Sequence, residues 1–222
     1  MQKAIPAAET VWAEVLDDMR GAVVRMDKIL RGMLEYAAPN KLDLNVGDPN
    51  EALESALLLM RLELIKNHVT IEKDLAASMP RVALDRTKIE QVLINLFGNA
   101  MHAMPHGGKV KVKTHCERLR TGSGGDGAPE DTRAVMEITD SGHGIPEDKL
   151  GKIFDPFFTT KPNGQGTGLG LTVSKKIIEL HGGTLELFNN PAGGVTARIP
   201  FPGCAEQEVG NPTLVDTQER VA

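Results

Sequence analysis

The sequence is poor in the residues that build several common kinds of site and segment. Aromatic residues make up 4% of its 222 residues, and only two cysteines occur. Cys116 and Cys204 form no metal-binding spacing and no disulfide framework, which is typical of a protein from a reducing cytosol. No apolar run reaches the roughly 18 residues of a transmembrane helix, and no signal peptide opens the chain. We therefore expect a cytoplasmic location, with any membrane anchor elsewhere in a longer parent protein.

Basic charge is also scarce. The chain has 25 Lys and Arg residues against 30 Asp and Glu residues, a net charge of −5 and a pI near 5.7. The basic residues are scattered and lack aromatic neighbours, so nucleic acid is excluded as a ligand. A hydrophobic content of 41% is enough for one full core.

The first 39 residues predict a long helix with a single apolar seam. From Glu9 to Ala37, apolar residues recur at alternating steps of four and three, at Trp12, Leu16, Met19, Val23, Met26, Leu30, Met33 and Ala37. A seam this narrow is typical of a helix that pairs with another helix. The partner would be a second copy of the chain, giving a homodimer through residues 9–37, or a segment absent here. A helix lying along the globular domain is the alternative, and Pro39 is expected to end the helix.

The remaining chain reads as one globular domain over residues 40–202 and a polar, disordered tail over 203–222. Asp48 and Pro49 form a helix start. Helices are predicted over Pro49–Asn67, Lys88–His106 and Leu171–His181, and strands over Val69–Glu72, Val82–Leu84, 109–117, Ala134–Thr139, Thr184–Phe188 and Val195–Ile199. Residues 120–132 are rich in glycine and polar residues and predict a mobile hairpin tip.

The helix over Lys88–His106 carries two stripes. One is apolar and predicts packing on a core. The other consists of Gln91, Asn95, Asn99 and His102, which share one face at steps of four, four and three. Asn is a poor helix former, so two of them one turn apart indicate a binding site. Amides that face water or cap a neighbouring loop are the alternative.

Two glycine-containing turns offer complementary chemistry. In the first, Asp140 is followed by Gly142 and Gly144, so a flat ligand could approach the backbone while the carboxylate accepts a hydrogen bond from an exocyclic amine. The same residues also occur in ordinary loops. In the second, glycines at every other position from 164 to 170 lead into a helix, whose amides and dipole can hold phosphate. The spacing is neither a Walker A loop nor a Rossmann turn, and a mobile linker is the alternative.

Three phenylalanines lie between these turns. Phe154, Phe157 and Phe158 are half of the six phenylalanines in the chain. We expect their rings to anchor the segment in the core.

Taken in order, these motifs resemble the catalytic ATP-binding domain of two-component sensor histidine kinases, in the superfamily that includes the ATPase domains of gyrase, Hsp90 and MutL. Residues 95–99 (NLFGN) resemble the N box, 140–144 (DSGHG) the G1 box, 154–158 (FDPFF) the F box and 166–170 (GTGLG) the G2 box. The resemblance covers residues 9–201. It implies an α+β fold of the Bergerat type, a two-layer sandwich in which helices cover a mixed, mostly antiparallel sheet, preceded by the coiled-coil-like helix.

The resemblance also implies ATP and Mg²⁺ as cofactors and a role for each box. Asn99 would bind Mg²⁺, and Asn95 would be a second ligand or orient a metal-bound water. His102 and Lys161 would contact phosphate, and Asp140 would accept the adenine amine. The remaining nucleotide contacts implied are Gly142, Gly144, Gly166, Thr167, Gly168, Leu169 and Gly170, with residues 159–168 forming a lid. The catalytic set is Asn95, Asn99 and Lys161.

The residue at position 95 bears on the reaction. Hydrolysing relatives carry a glutamate there to activate water, whereas an amide cannot act as a general base. The resemblance therefore implies transfer of the γ-phosphate to a histidine, and from there signalling to the receiver domain of a response regulator. None of the six histidines precedes His68, so we expect no phosphoacceptor in this chain and look for it on a missing dimerisation helix. An anti-sigma-type serine kinase, or a nucleotide-binding dimerisation module without transfer, are the alternatives.

Overall fold

The structure is a computed structural model that describes residues 8–37, 41–120, 130–161 and 166–203. Four predictions fall partly or wholly outside these ranges: the helix end at Pro39, the hairpin tip, the middle of the lid and the tail after residue 203.

The N-terminal helix α1 spans Ala8–Ala37, which agrees with the predicted helix. The large side chains of its seam, from Trp12 to Met33, are 42% to 66% exposed. The seam therefore does not pack on the globular part of this chain. One contact with that part lies at Gly32, where a Cβ atom would be 3.0 Å from the Leu169 side chain.

A five-stranded sheet forms one layer of the globular part. Its strands lie in the order β2, β4, β5, β7, β6, and only the β2–β4 pair is parallel. The strands are β2 (Val69–Asp74), β4 (Gly108–Arg120), β5 (Glu130–Asp140), β6 (Glu186–Asn189) and β7 (Val195–Pro202). A separate antiparallel pair joins β1 (Asn45–Gly47), which was not predicted, to β3 (Val82–Leu84). The predicted mixed, mostly antiparallel sheet is confirmed.

Three long helices form the second layer. They are α2 (Pro49–Lys66), α3 (Arg86–Ala103) and α5 (Gly170–Leu180), and a short α4 covers Glu147–Leu150. The Asp48 and Asp85 side chains cap α2 and α3 by accepting from backbone N–H groups. Helix α3 ends three residues before the predicted His106, because Pro105 forces Met104 out of the helical region.

The core lies between the two layers. Alternate residues of β4, β5 and β7, including Val112, Met136 and Ile199, are buried against Leu93 and Phe97 of α3. Among the described helices, none is long and apolar enough to cross a membrane.

The hairpin of β4 and β5 is longer than the sequence predicted. Both strands continue into the predicted tip, where Arg120 pairs with Glu130. Residues 120 and 130–132 are therefore strand. The backbone hydrogen bonds between β4 and β5 continue beyond the apolar residues from which the two strands were predicted.

The expectation that all three phenylalanine rings anchor the core is wrong for Phe157. Phe154 packs against the core, but Phe157 is 56% exposed. Its backbone has a φ of 66°, and its N–H donates to the Gly168 carbonyl oxygen at 2.9 Å. The backbone of Phe157 thus holds the glycine-rich segment, and its ring points to solvent.

Candidate functional site

A cavity of about 520 Å³ opens between α3, the turn after β5 and the N-terminus of α5. Ten of the predicted site residues lie in its wall: Asn95, Asn99, His102, Asp140, Gly144, Lys161, Gly166, Thr167, Gly168 and Gly170. Gly142 and Leu169 are not among the lining residues. Residues that are far apart in the sequence thus meet at one site.

One end of the cavity is built around Asp140, the last residue of β5. The residue is only 9% exposed, and its Oδ1 accepts from the N–H groups of Gly142 at 2.8 Å and Val195 at 3.2 Å. Burial raises the pKa of Asp140, although both hydrogen bonds and the nearby His143 oppose the shift. Because two backbone donors hold Oδ1, the second carboxylate oxygen is the one left for a ligand in this wall.

Glycines let the backbone close around Asp140. A Cβ atom at Gly194 would lie 1.9 Å from the Asp140 carbonyl oxygen, and the φ of Gly194 is +84°. A Cβ atom at Gly142 would lie 2.6 Å from that of Ala103 on α3. Any larger residue at either position would push the turn away from the cavity.

Asn189 on β6 holds the same turn, a role that no sequence pattern indicated. Its Oδ1 accepts from the Ile145 N–H at 2.8 Å, and its Nδ2 donates to the Ile145 carbonyl oxygen at 2.6 Å. The two bonds hold the backbone N–H and the backbone carbonyl of one residue, and so the two peptide groups on either side of Ile145. They explain how a turn with two glycines keeps a defined shape.

Asn95 is fixed by a partner that sequence reasoning missed. Its Nδ2 donates to the Oγ of Ser174 at 3.0 Å, and Ser174 on α5 is only 2% exposed. Its Oδ1 faces Gly170, where a Cβ atom would lie 2.3 Å away. The amide is therefore oriented with its oxygen toward the N-terminus of α5. Because Ser174 lies four residues after Gly170, the two share a helix face, and this spacing was the available signal.

Lys161 and Asn99 meet on α3 between the start of α5, which faces Asn95, and the turn after Asp140, which contacts Ala103. The Lys161 Nζ donates to the Asn99 Oδ1 at 3.2 Å. His102 lies one turn further along α3, and its pKa is lowered by burial first, then by the positive charges of Lys161 and His143. The cavity wall therefore presents the Asn95 amide at the start of α5 and Lys161 with Asn99 in the middle of α3. The turn after β5 adds the Asp140 carboxylate with His143 beside it.

The glycine-rich segment closes the cavity at the start of α5. A Cβ atom at Gly168 would lie 2.2 Å from the Phe157 carbonyl carbon, and one at Gly166 would lie 2.2 Å from the Thr159 Oγ1. Helix α5 then begins, and among the described residues no side chain caps its N-terminus. An uncapped helix start that faces a cavity is suited to bind an anion.

The far ends of α3 and α5 are joined by His181, which sequence reasoning placed at a helix end without a role. The ring is 5% exposed, and its Nδ1 lies 2.7 Å from the Ile177 carbonyl oxygen. Its Nε2 accepts from the Asp85 N–H at 2.9 Å. His181 thus ties the N-terminus of α3 to the C-terminus of α5 and sets the register in which Asn95 meets Gly170.

Comparison with known proteins gives one family. Residues 84–203 match the model for "Histidine kinase-, DNA gyrase B-, and HSP90-like ATPase". The chain is 32% identical to the sensor histidine kinase ZraS of Salmonella typhimurium over 184 residues, covering 83% of this chain and 37% of ZraS. It is also 32% identical to the sensor kinase CckA of Brucella abortus, covering 88% of this chain and 21% of CckA. The chain therefore spans between about a fifth and two fifths of the length of these relatives.

Solved structures agree with these matches. The catalytic domain of the histidine kinase ThkA superposes with a TM-score of 0.60 at 32% identity, over 73% of this chain and 97% of that domain. ThkA in complex with the response regulator TrrA superposes with a TM-score of 0.67 at 28% identity, over 91% of this chain and 53% of the ThkA chain.

Proposed function

Because the chain belongs to the family of histidine kinase-, DNA gyrase B- and HSP90-like ATPases, and matches sensor kinases along most of its length, we propose that it is the catalytic part of a sensor histidine kinase. Its parent transfers the γ-phosphate of ATP to a histidine on a dimerisation helix outside this chain. A response regulator then receives the phosphate. The parent is a homodimer through residues 9–37, acts in the cytoplasm and can carry a membrane anchor.

The observation that carries this proposal is the asymmetry of the cavity. Asp140 and His143 lie in the turn after β5, where the second carboxylate oxygen of Asp140 can accept the adenine amine. Lys161 and the glycine-rich segment before α5 line the same cavity, and they supply positive charge and backbone N–H groups for the β- and γ-phosphates. Residues 40–202 form the catalytic domain in this proposal.

Two amides on α3 fit Mg²⁺. Asn99 and Asn95 offer amide oxygens one helical turn apart, and oxygen is the ligand type that Mg²⁺ requires. When bound with ATP, the ion neutralises charge on the phosphates. The ammonium of Lys161, which lies on the Asn99 Oδ1, would move to the phosphates and leave that oxygen to the metal.

Asn95 supports transfer to a side chain over hydrolysis. An amide cannot take a proton from water, and the bond to Ser174 fixes its orientation. The γ-phosphate is therefore transferred to a nucleophile that another helix supplies, as expected for a kinase whose phosphoacceptor lies outside this chain.

The test is incubation with γ-labelled ATP and Mg²⁺, with and without a separately purified helical hairpin that carries the acceptor histidine of the parent. Acid-labile, alkali-stable label on the hairpin is the expected result. Acid-stable label on a serine would replace the proposal by a serine kinase. ATP binding without any transfer would reduce the chain to a nucleotide-binding module. A hairpin with the acceptor histidine changed to alanine is the control.

A further inference from the structure

Three hydrogen-bonded polar side chains lie on the face of the sheet opposite the cavity. Val195 and Ala197 of β7 line the cavity, so Thr196 between them points to the other face, and it is only 5% exposed. Its Oγ1 lies 2.8 Å from the Thr139 Oγ1 of β5 and donates to the Asn190 Oδ1 at 2.9 Å. We call Thr139, Thr196 and Asn190 the outer network.

The number of hydroxyl protons fixes the direction of these bonds. A threonine hydroxyl has one proton to donate. Because Thr196 gives its proton to the Asn190 amide oxygen, Thr139 is the donor in the bond between the two threonines. Thr196 is therefore the central member of the outer network, and loss of its hydroxyl breaks both bonds.

The outer network holds the turn between β6 and β7. The Asn190 N–H donates to the Gly194 carbonyl oxygen at 3.0 Å, and the Asn190 carbonyl oxygen accepts from another glycine of the turn at 2.9 Å. Gly194 lies so close to the Asp140 backbone that no Cβ atom fits between them. The next residue, Val195, donates its N–H to the Asp140 Oδ1. The hydrogen bonds that begin at Thr139 thus return to its neighbour Asp140.

We propose that Thr196 is a positioning residue for recognition of the base, which acts through Asn190 and the turn to hold the Asp140 carboxylate. The proposal rests on the proposed function, in which the second carboxylate oxygen of Asp140 accepts the adenine amine. The backbone pairing of β5 with β7 ends at the pair of Thr139 with Thr196. Beyond this pair, the side chains of the outer network tie the turn to β5.

The Asn190 amide is explained by this role. Its Nδ2 is buried and has no hydrogen-bond partner in the part of the chain that the structure describes. A buried donor without a partner costs free energy, and an apolar side chain would avoid that cost. The bond that the Asn190 Oδ1 accepts from Thr196 is therefore the interaction that accounts for an amide at this position.

The test compares two nucleotides that differ only in the group that Asp140 is assigned to bind. ATP carries the 6-amino group, and purine riboside triphosphate lacks it. Isothermal titration calorimetry of the full chain with each nucleotide and Mg²⁺ gives the ratio of the two affinities. In Thr196→Val the affinity for ATP should fall by about three- to tenfold, as expected for the loss of one hydrogen bond, and the affinity for the analogue should not change. Thr196→Ser keeps the hydroxyl and should retain the wild-type ratio.

Asn190→Ala tests the outer network from the turn, without altering β7. It should lower the affinity for ATP as Thr196→Val does. The two changes together should lower it no further than either alone, because they remove the same bond. Thr114→Val is the matched control, since Thr114 is a 3% exposed threonine of β4 whose Oγ1 accepts from the Ala76 N–H and which does not line the cavity. This control should leave both affinities unchanged.

Hydrogen exchange provides a readout that needs no nucleotide. The Val195 N–H should exchange faster in Thr196→Val and Asn190→Ala than in the wild type, because the turn that presents it to Asp140 is less restrained. Thr196→Ser and Thr114→Val should leave its exchange rate unchanged. Wild-type exchange at Val195 in both Thr196→Val and Asn190→Ala would overturn the proposal.

The outcomes separate the role of Thr196 from the assignment of the cavity, and none of them depends on phosphoryl transfer. Equal affinity of the wild type for the two nucleotides would overturn the assignment of Asp140 to adenine, and the proposal with it. A preference for ATP that Thr196→Val and Asn190→Ala retain would overturn the role of Thr196 alone. An equal loss of affinity for both nucleotides would also overturn it, because such a loss is general damage to the fold.

Discussion

Asp140→Asn is the sharpest test of how the cavity binds its ligand. The substitution keeps the shape of the side chain and an oxygen that can accept from the N–H groups of Gly142 and Val195. It replaces the other carboxylate oxygen by an amide group that donates. Adenine would then meet a donor where its own amine needs an acceptor.

The expected loss follows from two effects. A charge-assisted hydrogen bond is lost, and a buried donor is left facing another donor, which together cost about 2–4 kcal/mol. At about 1.4 kcal/mol per factor of ten, the affinity for ATP should fall by roughly 30- to 700-fold. The affinity for GTP should fall less, because its carbonyl oxygen can accept from the new amide.

Folding should not suffer. Burial raises the pKa of Asp140 above its value in an unfolded chain, so the ionised form is disfavoured in the folded state. Its contribution to stability is therefore present at low pH and lost as the pH rises through the folded pKa. A neutral amide removes this penalty, so at neutral pH thermal unfolding of Asp140→Asn should occur at or above the wild-type temperature.

Isothermal titration calorimetry with ATP and Mg²⁺ measures the affinity. Asp148→Asn is the matched control, since Asp148 is an exposed carboxylate on α4 and its substitution changes the net charge by the same amount. Wild-type affinity in a folded Asp140→Asn protein would refute the assignment of this end of the cavity to adenine.

Three further predictions concern the wall of the cavity that α3 and α5 form. Asn95→Glu should raise the rate of ATP hydrolysis, because a carboxylate can act as a general base; an unchanged or lower rate of phosphate release would contradict this. Ser174→Ala should free the Asn95 amide and lower the rate of transfer by roughly tenfold with little change in ATP affinity, whereas Ser174→Thr should retain activity; equal rates in all three proteins would show that the hydrogen bond is irrelevant. His102 has a lowered pKa because of burial and the charges of Lys161 and His143, and phosphate should raise it. ATP binding should then take up a proton, which is measured by comparing the heats of ATP binding in different buffers. The affinity for ATP should rise as the pH falls through the window between the pKa values of His102 with and without ATP. Both effects should be smaller in His102→Gln.

The sequence predicted those features of the site that depend on local spacing. The polar stripe of α3 is visible because Asn95, Asn99 and His102 recur at helical steps, and all three line one cavity. The sequence predicts the carboxylate of Asp140 as part of the site because a strand leads directly into a turn with two glycines. The fold class follows from the order of the elements and the resemblance of the four boxes.

Features set by tertiary contacts could not be read in the same way. The parallel pairing of β2 with β4 depends on a register that no local signal specifies. The exposure of Phe157 follows from the hydrogen bond between its backbone and Gly168, which overrides the preference of its ring for the core. Ser174 and His181 resemble ordinary helix residues until α3 and α5 are packed together.

The segment 166–170 contacts both the cavity and helix α1, and Leu169 makes the contact with α1. The resemblance implied that it contacts the nucleotide together with its glycine neighbours. In the structure Gly168 and Gly170 line the cavity, but the Leu169 side chain is 2% exposed and points toward Gly32 of α1. A Cβ atom at Gly32 would lie within 3.0 Å of it, so α1 can approach the start of α5 this closely only because residue 32 lacks a side chain. The helix that carries the pairing seam therefore touches the base of the segment that we assign to the phosphates.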